Sequence, residues 1–253
     1  MRVAIFSDIH GNLTALRAVL SRIRAEAPDL VLCAGDLAFA GPRPAECVAA
    51  VRDTCHAVVY GNTEDWTLGR QRPPDALSGR GEWTREQLSP EDLSWLGSLP
   101  FSHSVAAPGN ADREAALLLV HANPREVNTQ LFASPQRQRE LFGEVRQDDE
   151  AAADLLAGTQ AGTIAFGHQH IPSVRRVQGW QLVNVSSVHM PADGDPRAKF
   201  AVLTWGKGAW TADHRYVEWD VEPEARAYEQ SGIPGGEAAA RKLRETGMIP
   251  QVL

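Results

Sequence analysis

The tightest constraint on the fold is a repeated pattern in which a short apolar run ends in a polar side chain that can bind a metal ion. Val3–Phe6 is followed by Asp8 and His10, and Leu30–Ala34 is followed by Asp36. Runs of this length, bounded by polar residues, are typical of buried strands. Apolar residues at the spacing of one helix face lie between the two runs, at Leu13, Leu16, Val19, Leu20 and Ile23. Strands that alternate with helices predict βαβ units and a sheet that is at least partly parallel.

Three later apolar runs, at 57–60, 116–120 and 163–166, end in the same way. The donors that follow them are Asn62, His121, His168 and His170. Because open α/β sheets place their ligand sites at the carboxyl ends of strands, we expect all seven donors to converge. One such residue is more often a helix cap or a hydrogen-bonded core residue, but seven in this position are hard to explain in that way. Carboxylate and imidazole donors suit borderline divalent metals.

The chain from residue 173 onwards has the pattern of a strand-rich region. Residues 173–185 and 200–216 are typical of two hairpins, which we expect to form a second sheet packed on the first. Residues 223–231 and 237–246 predict two terminal helices, each followed by a glycine.

Two stretches before this region have weaker signals. Residues 64–100 are predicted to be helical and irregular, with Thr84 and Gln87 resembling a capping box and Ser89-Pro90 resembling a helix start. The polar residues from Asn123 to Asp149 predict a lid-like loop.

Composition limits the partners and the compartment. The net charge of −7 and the pI of about 5.6 give no general attraction to nucleic acid or to an anionic membrane. The arginines at 70, 72, 80 and 85 are better explained as a solvated polar face than as a basic patch. Three cysteines are too few for a disulfide framework or a zinc knuckle. With neither a signal peptide nor an apolar run of membrane-spanning length in the sequence, we expect a cytoplasmic protein.

The ordered set of motifs resembles that of the calcineurin-like metallophosphoesterases. That family has Asp-x-His, Gly-Asp, Gly-Asn-His-Asp/Glu, a lone His and then Gly-His-x-His. This chain has Asp8-Ile9-His10, Gly35-Asp36, Gly61-Asn62-Thr63-Glu64, His121 and Gly167-His168-Gln169-His170. The segments Asn184–Val188 and Asp193–Arg197 are similar to the small bacterial branch of the family. The resemblance extends over about Arg2 to Trp205.

The resemblance implies an α/β fold of the α+β sandwich type, in which two mixed β-sheets pack face to face and are flanked by helices. We expect a metallophosphoesterase domain over residues 1–221. Residues 222–253 are then a C-terminal helical extension packed on the same domain.

The resemblance also implies a site for two divalent ions. Its first ion is held by Asp8, His10, Asp36 and His170, and its second by Asp36, Asn62, His121 and His168, so Asp36 bridges. His168 and His170 lie two residues apart in what we expect to be an extended segment, and therefore point to opposite sides, one toward each metal. Mn is the first expectation, with Fe, Ni, Co and Zn as alternatives, since such donors accept all of them. In the family, a hydroxide held between the metals attacks phosphorus in line.

The chain departs from the family at Thr63, where the family has the histidine that protonates the leaving group. Threonine cannot act as that acid near neutral pH, and Glu64 has lost the imidazole that it would orient. His189 is a candidate replacement acid, although a packing role is the commoner one for such a residue. Asn12 and Arg125 are candidate phosphate contacts.

The leading functional prediction is a dinuclear metal phosphoesterase, most simply a phosphodiesterase acting on a phosphate ester, with nucleotide-like esters among the candidate substrates. Alternatives within enzymes are a phosphomonoesterase, a protein phosphatase or a dinucleoside-polyphosphate hydrolase. A different class is a non-catalytic binding module, because the family includes a vesicle-coat subunit with a decayed metal site. We expect no membrane partner, and the sequence leaves the oligomeric state open.

Overall fold

Two five-stranded β-sheets form the framework of the computed structural model, which describes residues 1–249. The strands are β1 Arg2–Phe6, β2 Leu30–Cys33, β3 Ala57–Val58, β4 His103–Val105, β5 Leu117–Leu119, β6 Thr163–Phe166, β7 Ser173–Val177, β8 Trp180–Asn184, β9 Ala198–Gly206 and β10 Ala209–Val217. The first sheet has the order β10-β9-β1-β2-β3, and the second has the order β4-β5-β6-β8-β7.

Helices cover the outer faces and the ends of the sheets. They are α1 Leu13–Glu26, α2 Pro44–Thr54, α3 Asn62–Leu68, α4 Ser78–Glu86, α5 Pro90–Ser98, α6 Pro135–Phe142, α7 Asp149–Leu156, α8 Val221–Ser231 and α9 Gly236–Thr246. None of the helices within residues 1–249 is both long enough and apolar enough to cross a membrane.

Each sheet combines parallel and antiparallel pairs, which confirms the predicted mixed architecture. In the first sheet β1, β2 and β3 are parallel, while β9 is antiparallel to both β1 and β10. In the second sheet β5, β6 and β8 are parallel, and β4 and β7 are antiparallel edge strands. The carboxyl ends of the parallel strands therefore bring together the loops that carry the predicted donors.

The alternation of side chains along β1 shows how the layers pack. Val3 and Ile5 join a core shared with Leu119 and Val183 of the second sheet, so the two sheets pack face to face as predicted. Phe6, on the other face of the strand, joins the core formed with α1 and α2. Successive strand residues point to opposite faces, so one short strand supports both layers.

The predicted placement was right for one of the two hairpins and wrong for the other. The hairpin of β7 and β8 joins the second sheet, but that of β9 and β10 extends the first sheet through pairing of β9 with β1. Alternation along a strand identifies the hairpin but does not specify the sheet edge with which it pairs.

Two local predictions were also wrong, and one was right. Thr84 lies inside α4 and does not begin a helix, whereas Ser89 caps α5 through its hydroxyl and the backbone N–H of Asp92. The predicted loop between 123 and 149 contains α6, which is capped by Ser134 and closed by Gly143 in a left-handed conformation. Helix α6 was missed because it has no apolar stripe, and Gln138 is its buried residue.

The C-terminal helices are joined to the first sheet layer through Glu224 of α8. Its buried carboxylate accepts hydrogen bonds from the backbone N–H and the hydroxyl of Thr14 and forms an ion pair with Arg43. Thr14 lies in the first turn of α1, directly after the loop that carries Asp8 and His10. The domain boundary at residue 221 stays a prediction. The contact between Glu224 and Thr14 nevertheless links the C-terminal helices to the loop that carries Asp8 and His10.

We predict that Glu224→Ala destabilises the protein by roughly 3 kcal/mol, because it leaves Arg43 and the Thr14 donors without a carboxylate in a buried position. Urea denaturation measures the change. Glu222→Ala is the matched control, since the Glu222 ion pairs with Arg226 and Arg244 are at the surface and should contribute little. Equal effects of the two substitutions would contradict the role assigned to Glu224.

Candidate metal centre

The loops that follow the strands hold their donors in an unusual backbone conformation. Five predicted ligands adopt positive φ angles, namely Asp8 at 56°, His10 at 47°, Asp36 at 57°, His168 at 62° and His170 at 59°. Non-glycine residues in this left-handed region cost about 1–3 kcal/mol each and cluster at functional sites. The segment from His168 to His170 is therefore not extended, contrary to our expectation.

The first group of donors contains Asp8, His10 and His170. Nε2 of His170 lies 3.1 Å from Oδ1 of Asp8 and 3.2 Å from Nε2 of His10. Nε2 of His10 lies 3.8 Å from Oδ1 of Asp8. All three residues are buried, and Oδ1 of Asp8 has no hydrogen-bond partner within the described part of the chain.

The second group contains His121, Asn62 and His168. Nε2 of His121 lies 2.9 Å from Oδ1 of Asn62 and 3.1 Å from Nδ1 of His168. His168 and His170 thus point to different groups, although the left-handed backbone, and not strand alternation, separates them.

Asp36 lies between the two groups, and each of its carboxylate oxygens faces one of them. Oδ2 is 3.8 Å from Nε2 of His10, and Oδ1 is 3.5 Å from Nε2 of His121. The backbone N–H of Thr63 donates to Oδ1 at 3.1 Å and helps to fix the carboxylate. This is the arrangement that a bridging ligand requires.

Backbone carbonyls orient three of the four histidines. One ring nitrogen of each lies within hydrogen-bond distance of a carbonyl: Nδ1 of His121 at Ala34, Nδ1 of His170 at Met190 and Nε2 of His168 at Asn128. Each pair places the N–H at the carbonyl, so the other nitrogen directs its lone pair toward the donor group. Burial, followed by repulsion from His121, lowers the pKa of His168 to about 4, which keeps that ring in the neutral form that binds metal.

Two glycines of the motifs leave the space in which the donors sit. A Cβ at Gly61 would lie 2.1 Å from Oδ1 of Asp36, and one at Gly167 would lie 2.2 Å from Oδ2 of Asp8. The neighbouring carboxylates could not occupy their positions beside any other residue type. These two glycines are therefore part of the site because of the close approach that they permit.

The donor set fits divalent transition metals. Bonds of 2.0–2.2 Å to nitrogen and oxygen place neighbouring ligands roughly 3–3.5 Å apart, close to the separations within both groups. Burial alone would raise the pKa of Asp8, but the charge of His170 holds it well below its usual range, so the carboxylate is available as a ligand. The assignment of each residue to an ion nevertheless stays a prediction.

Glu64 has a structural role that we did not foresee. Its buried carboxylate accepts hydrogen bonds from the backbone N–H groups of Asp36 at 2.8 Å, Leu37 at 2.8 Å and Gly61 at 2.7 Å. Burial, and then the nearby charge of Asp36, raises the pKa of Glu64 to about 7, against the opposing effect of these three donors. The residue holds the loop after β2 against the start of α3. Its position three residues after Gly61, at the beginning of a helix, is the spacing at which the acid of a capping box accepts from the backbone N–H of the N-cap residue.

The three predicted substrate contacts lie outside the donor groups. Asn12 is buried, caps α1 through the N–H of Ala15, and bonds through Nδ2 to Nδ1 of His189 at 2.9 Å. His189 is buried and also contacts the hydroxyl of Tyr228 at 3.4 Å. Arg125 is exposed. Their substrate roles stay predictions, and our functional proposal does not depend on them.

A family model described as the calcineurin-like phosphoesterase superfamily domain matches residues 1–208. The chain belongs to the calcineurin-like phosphoesterase superfamily. The match covers both sheets except β10, and it includes every residue of the two donor groups. The predicted family is thereby confirmed.

Relatives of this superfamily member resemble it over nearly its whole length. A metallophosphoesterase from Sphaerobacter thermophilus is 27% identical, with a TM-score of 0.73, over 98% of this chain and 99% of its own. A hypothetical protein from Pyrococcus horikoshii is 17% identical, with a TM-score of 0.74, over 96% of each chain, and shows the shared fold. An uncharacterised protein from Methanocaldococcus jannaschii is 29% identical over 90% of each sequence. The first two matches extend beyond the family model into the C-terminal helices.

We predict that Glu64→Gln lowers the affinity for divalent metal about 10–100-fold, because an amide nitrogen replaces one of the acceptor oxygens that hold the Asp36 loop. Titration of the metal-free protein with Mn²⁺ measures the affinity. Glu46→Gln on the exposed face of α2 is the control and should bind as the unaltered protein does. Unchanged affinity in Glu64→Gln would show that the loop holds its shape without the carboxylate.

Proposed function

We propose that this member of the calcineurin-like phosphoesterases is a two-metal phosphodiesterase. The supporting observation is Asp36, whose two oxygens face two separate groups of histidine and carboxylate or amide donors. Two divalent ions bound there would supply Lewis acidity and a water activated for attack at neutral pH. Mn²⁺ is our first candidate for both ions, with Fe, Ni, Co and Zn as alternatives.

The chain's own residues would position the reaction. The strand ends and the left-handed loops fix the donors before substrate arrives, so little reorganisation is needed on binding. Asn62 and Thr63 begin α3, and both line a cavity that opens from the donor groups. A phosphate bound against the donors would therefore have its substituent in this cavity.

Thr63 occupies the position at which the family has its general acid. Its side chain is buried, lines the cavity, and carries a hydroxyl with no hydrogen-bond partner in the described residues. A hydroxyl can donate a hydrogen bond to a substrate oxygen but cannot transfer its proton near neutral pH. The function we propose is therefore hydrolysis of esters whose leaving groups need little protonation.

The binding-module alternative is less well supported, because both donor groups are complete and are held by dedicated backbone contacts. A decayed site would have lost such donors.

We further propose a reducing cytoplasmic setting, since the cysteines of the described chain are free thiols, and burial raises the pKa of Cys33 and Cys47 well above its usual range.

The choice between diester and monoester substrates can be tested with one phenol. We expect the Mn²⁺-loaded protein to cleave the bis-ester of p-nitrophenol with a higher kcat/KM than the monoester. Each metal is supplied in turn, and the metal-free protein is the control. A strong preference for the monoester would replace the phosphodiesterase proposal with a phosphomonoesterase.

The role of Thr63 can be tested by varying the leaving group. A positioned general acid contributes about 10²–10⁴ in rate, and most for strongly basic leaving groups. We predict a steep fall in rate with leaving-group pKa for the unaltered protein and a shallower fall for Thr63→His, with the largest gain on alkyl esters. Thr63→Val is the matched control and should keep the steep dependence. A shallow dependence in the unaltered protein would show that another residue already acts as the acid.

A further inference from the structure

The donor groups form one end of a cavity of about 540 Å³, a volume typical of small-molecule sites. The remaining walls are largely apolar and come from several separate parts of the chain. They include Phe39 after β2, Trp66 of α3, Leu77 before α4, and Met190, with α9 and Ile249 closing the cavity on the C-terminal side.

Aromatic rings form part of this lining next to the predicted centre. Phe39 and Trp66 meet edge to face, with ring centroids 5.2 Å apart. Phe39 is fully buried, whereas Trp66 is half-buried and lines the cavity. A tryptophan held by a packed neighbour and partly open to a cavity is a rigid surface on which another flat ring can stack.

Helix α9 and its N-cap residue present small residues and a cation to the same cavity. Gly235 and Ala238 are small and exposed, and Lys242 follows one turn after Ala238. The charged lining residues, apart from the histidines, are Arg80 and Lys242 against the single carboxylate of Asp36, among the residues described. The cavity therefore favours an anion and leaves room for a bulky group beside α9.

The described lining also lacks the two kinds of side chain that most often act as general acids, apart from the predicted ligands. Outside the seven predicted ligands, neither a carboxylic acid nor an imidazole of the described residues lines the cavity. Thr63, at the position of the family's general acid, lines the cavity and has only a hydroxyl. Aromatic alcohols are weaker bases than alkyl alcohols when they depart, so they leave without that proton.

We propose that this cavity binds the leaving group, and that the substrates are anionic phosphodiesters whose leaving group is an aromatic alcohol stacked on Trp66. The inference rests on the proposed phosphodiesterase function and specifies its substrate class. Hydrolysis breaks the bond between phosphorus and the aryl oxygen; water supplies the new oxygen on phosphorus, and the products are an aryloxide and a phosphomonoester, with one proton released from the water. Stacking of the substrate's aromatic ring on Trp66 selects the substrate, and the low basicity of the aryl oxygen makes a general acid unnecessary.

The test compares two methyl phosphodiesters whose leaving groups have matched pKa, one a phenol and the other a fluorinated alkanol. Matching the pKa removes the effect of the missing acid, so the ratio of kcat/KM values reports recognition of the ring. We expect the unaltered Mn²⁺-loaded protein to favour the phenyl ester by at least about tenfold. Trp66→Ala should lower that ratio severalfold, and Trp95→Ala, a half-buried tryptophan of α5 that does not line the cavity, should leave it unchanged.

A second variant guards against a folding defect in Trp66→Ala. Ala238 is an exposed helix position, so Ala238→Phe should fold while filling the cavity, and the KM for the phenyl ester should rise severalfold. A ratio near one in the unaltered protein, or equal falls in Trp66→Ala and Trp95→Ala, would overturn the inference while leaving the phosphodiesterase function intact. Absence of hydrolysis of either ester with every metal would overturn the proposed function itself.

Discussion

The carboxylate of Asp36 is the interaction on which the rest of the site depends. One oxygen faces His10 and the other faces His121, so the spacing of the two donor groups is set by a single side chain. That side chain is fixed from two directions: Thr63 donates to its oxygen, and Glu64 holds its backbone N–H. The position of the loop after β2 relative to the start of α3 therefore controls the geometry of the metal ligands. This explains why Glu64, a buried acid without a catalytic partner, is found between them.

This geometry requires strained backbone conformations, and the packing of the surrounding layers offsets their free-energy cost. Asp8, His10 and Asp36 adopt left-handed backbone conformations directly after strands whose side chains are almost fully buried. The hydrogen bonds between the loops after β1 and β2, such as that from the N–H of Asp8 to the carbonyl of Gly35 at 3.0 Å, tie the two strained loops together. A site built in this way is preorganised, because the energy that distorts the loops comes from folding and not from substrate binding.

Much of this arrangement could be predicted from the sequence, because short apolar runs identify the buried strands and parallel strands bring their carboxyl ends to the same edge of a sheet. The donors after the apolar runs could be expected to converge before any contact was known, and the structure brings all seven together. The pairing of β9 with β1 could not be predicted, since an alternating strand fits either sheet edge. Helix α6 lacks an apolar stripe, and the left-handed loop at His168 depends on tertiary contacts with Asp8 and Asn128. The family resemblance assigns Glu64 only as the partner of a missing imidazole, although its spacing of three residues from Gly61 is typical of a helix cap.

Anomalous diffraction from crystals loaded with Mn²⁺ tests the central claim most directly. Our account predicts two anomalous peaks per chain, roughly 3.5–4 Å apart, each within bonding distance of a different oxygen of Asp36. One peak should lie among Asp8, His10 and His170, and the other among Asn62, His121 and His168. A single peak at saturating Mn²⁺, or two peaks of which one does not contact Asp36, would contradict the account.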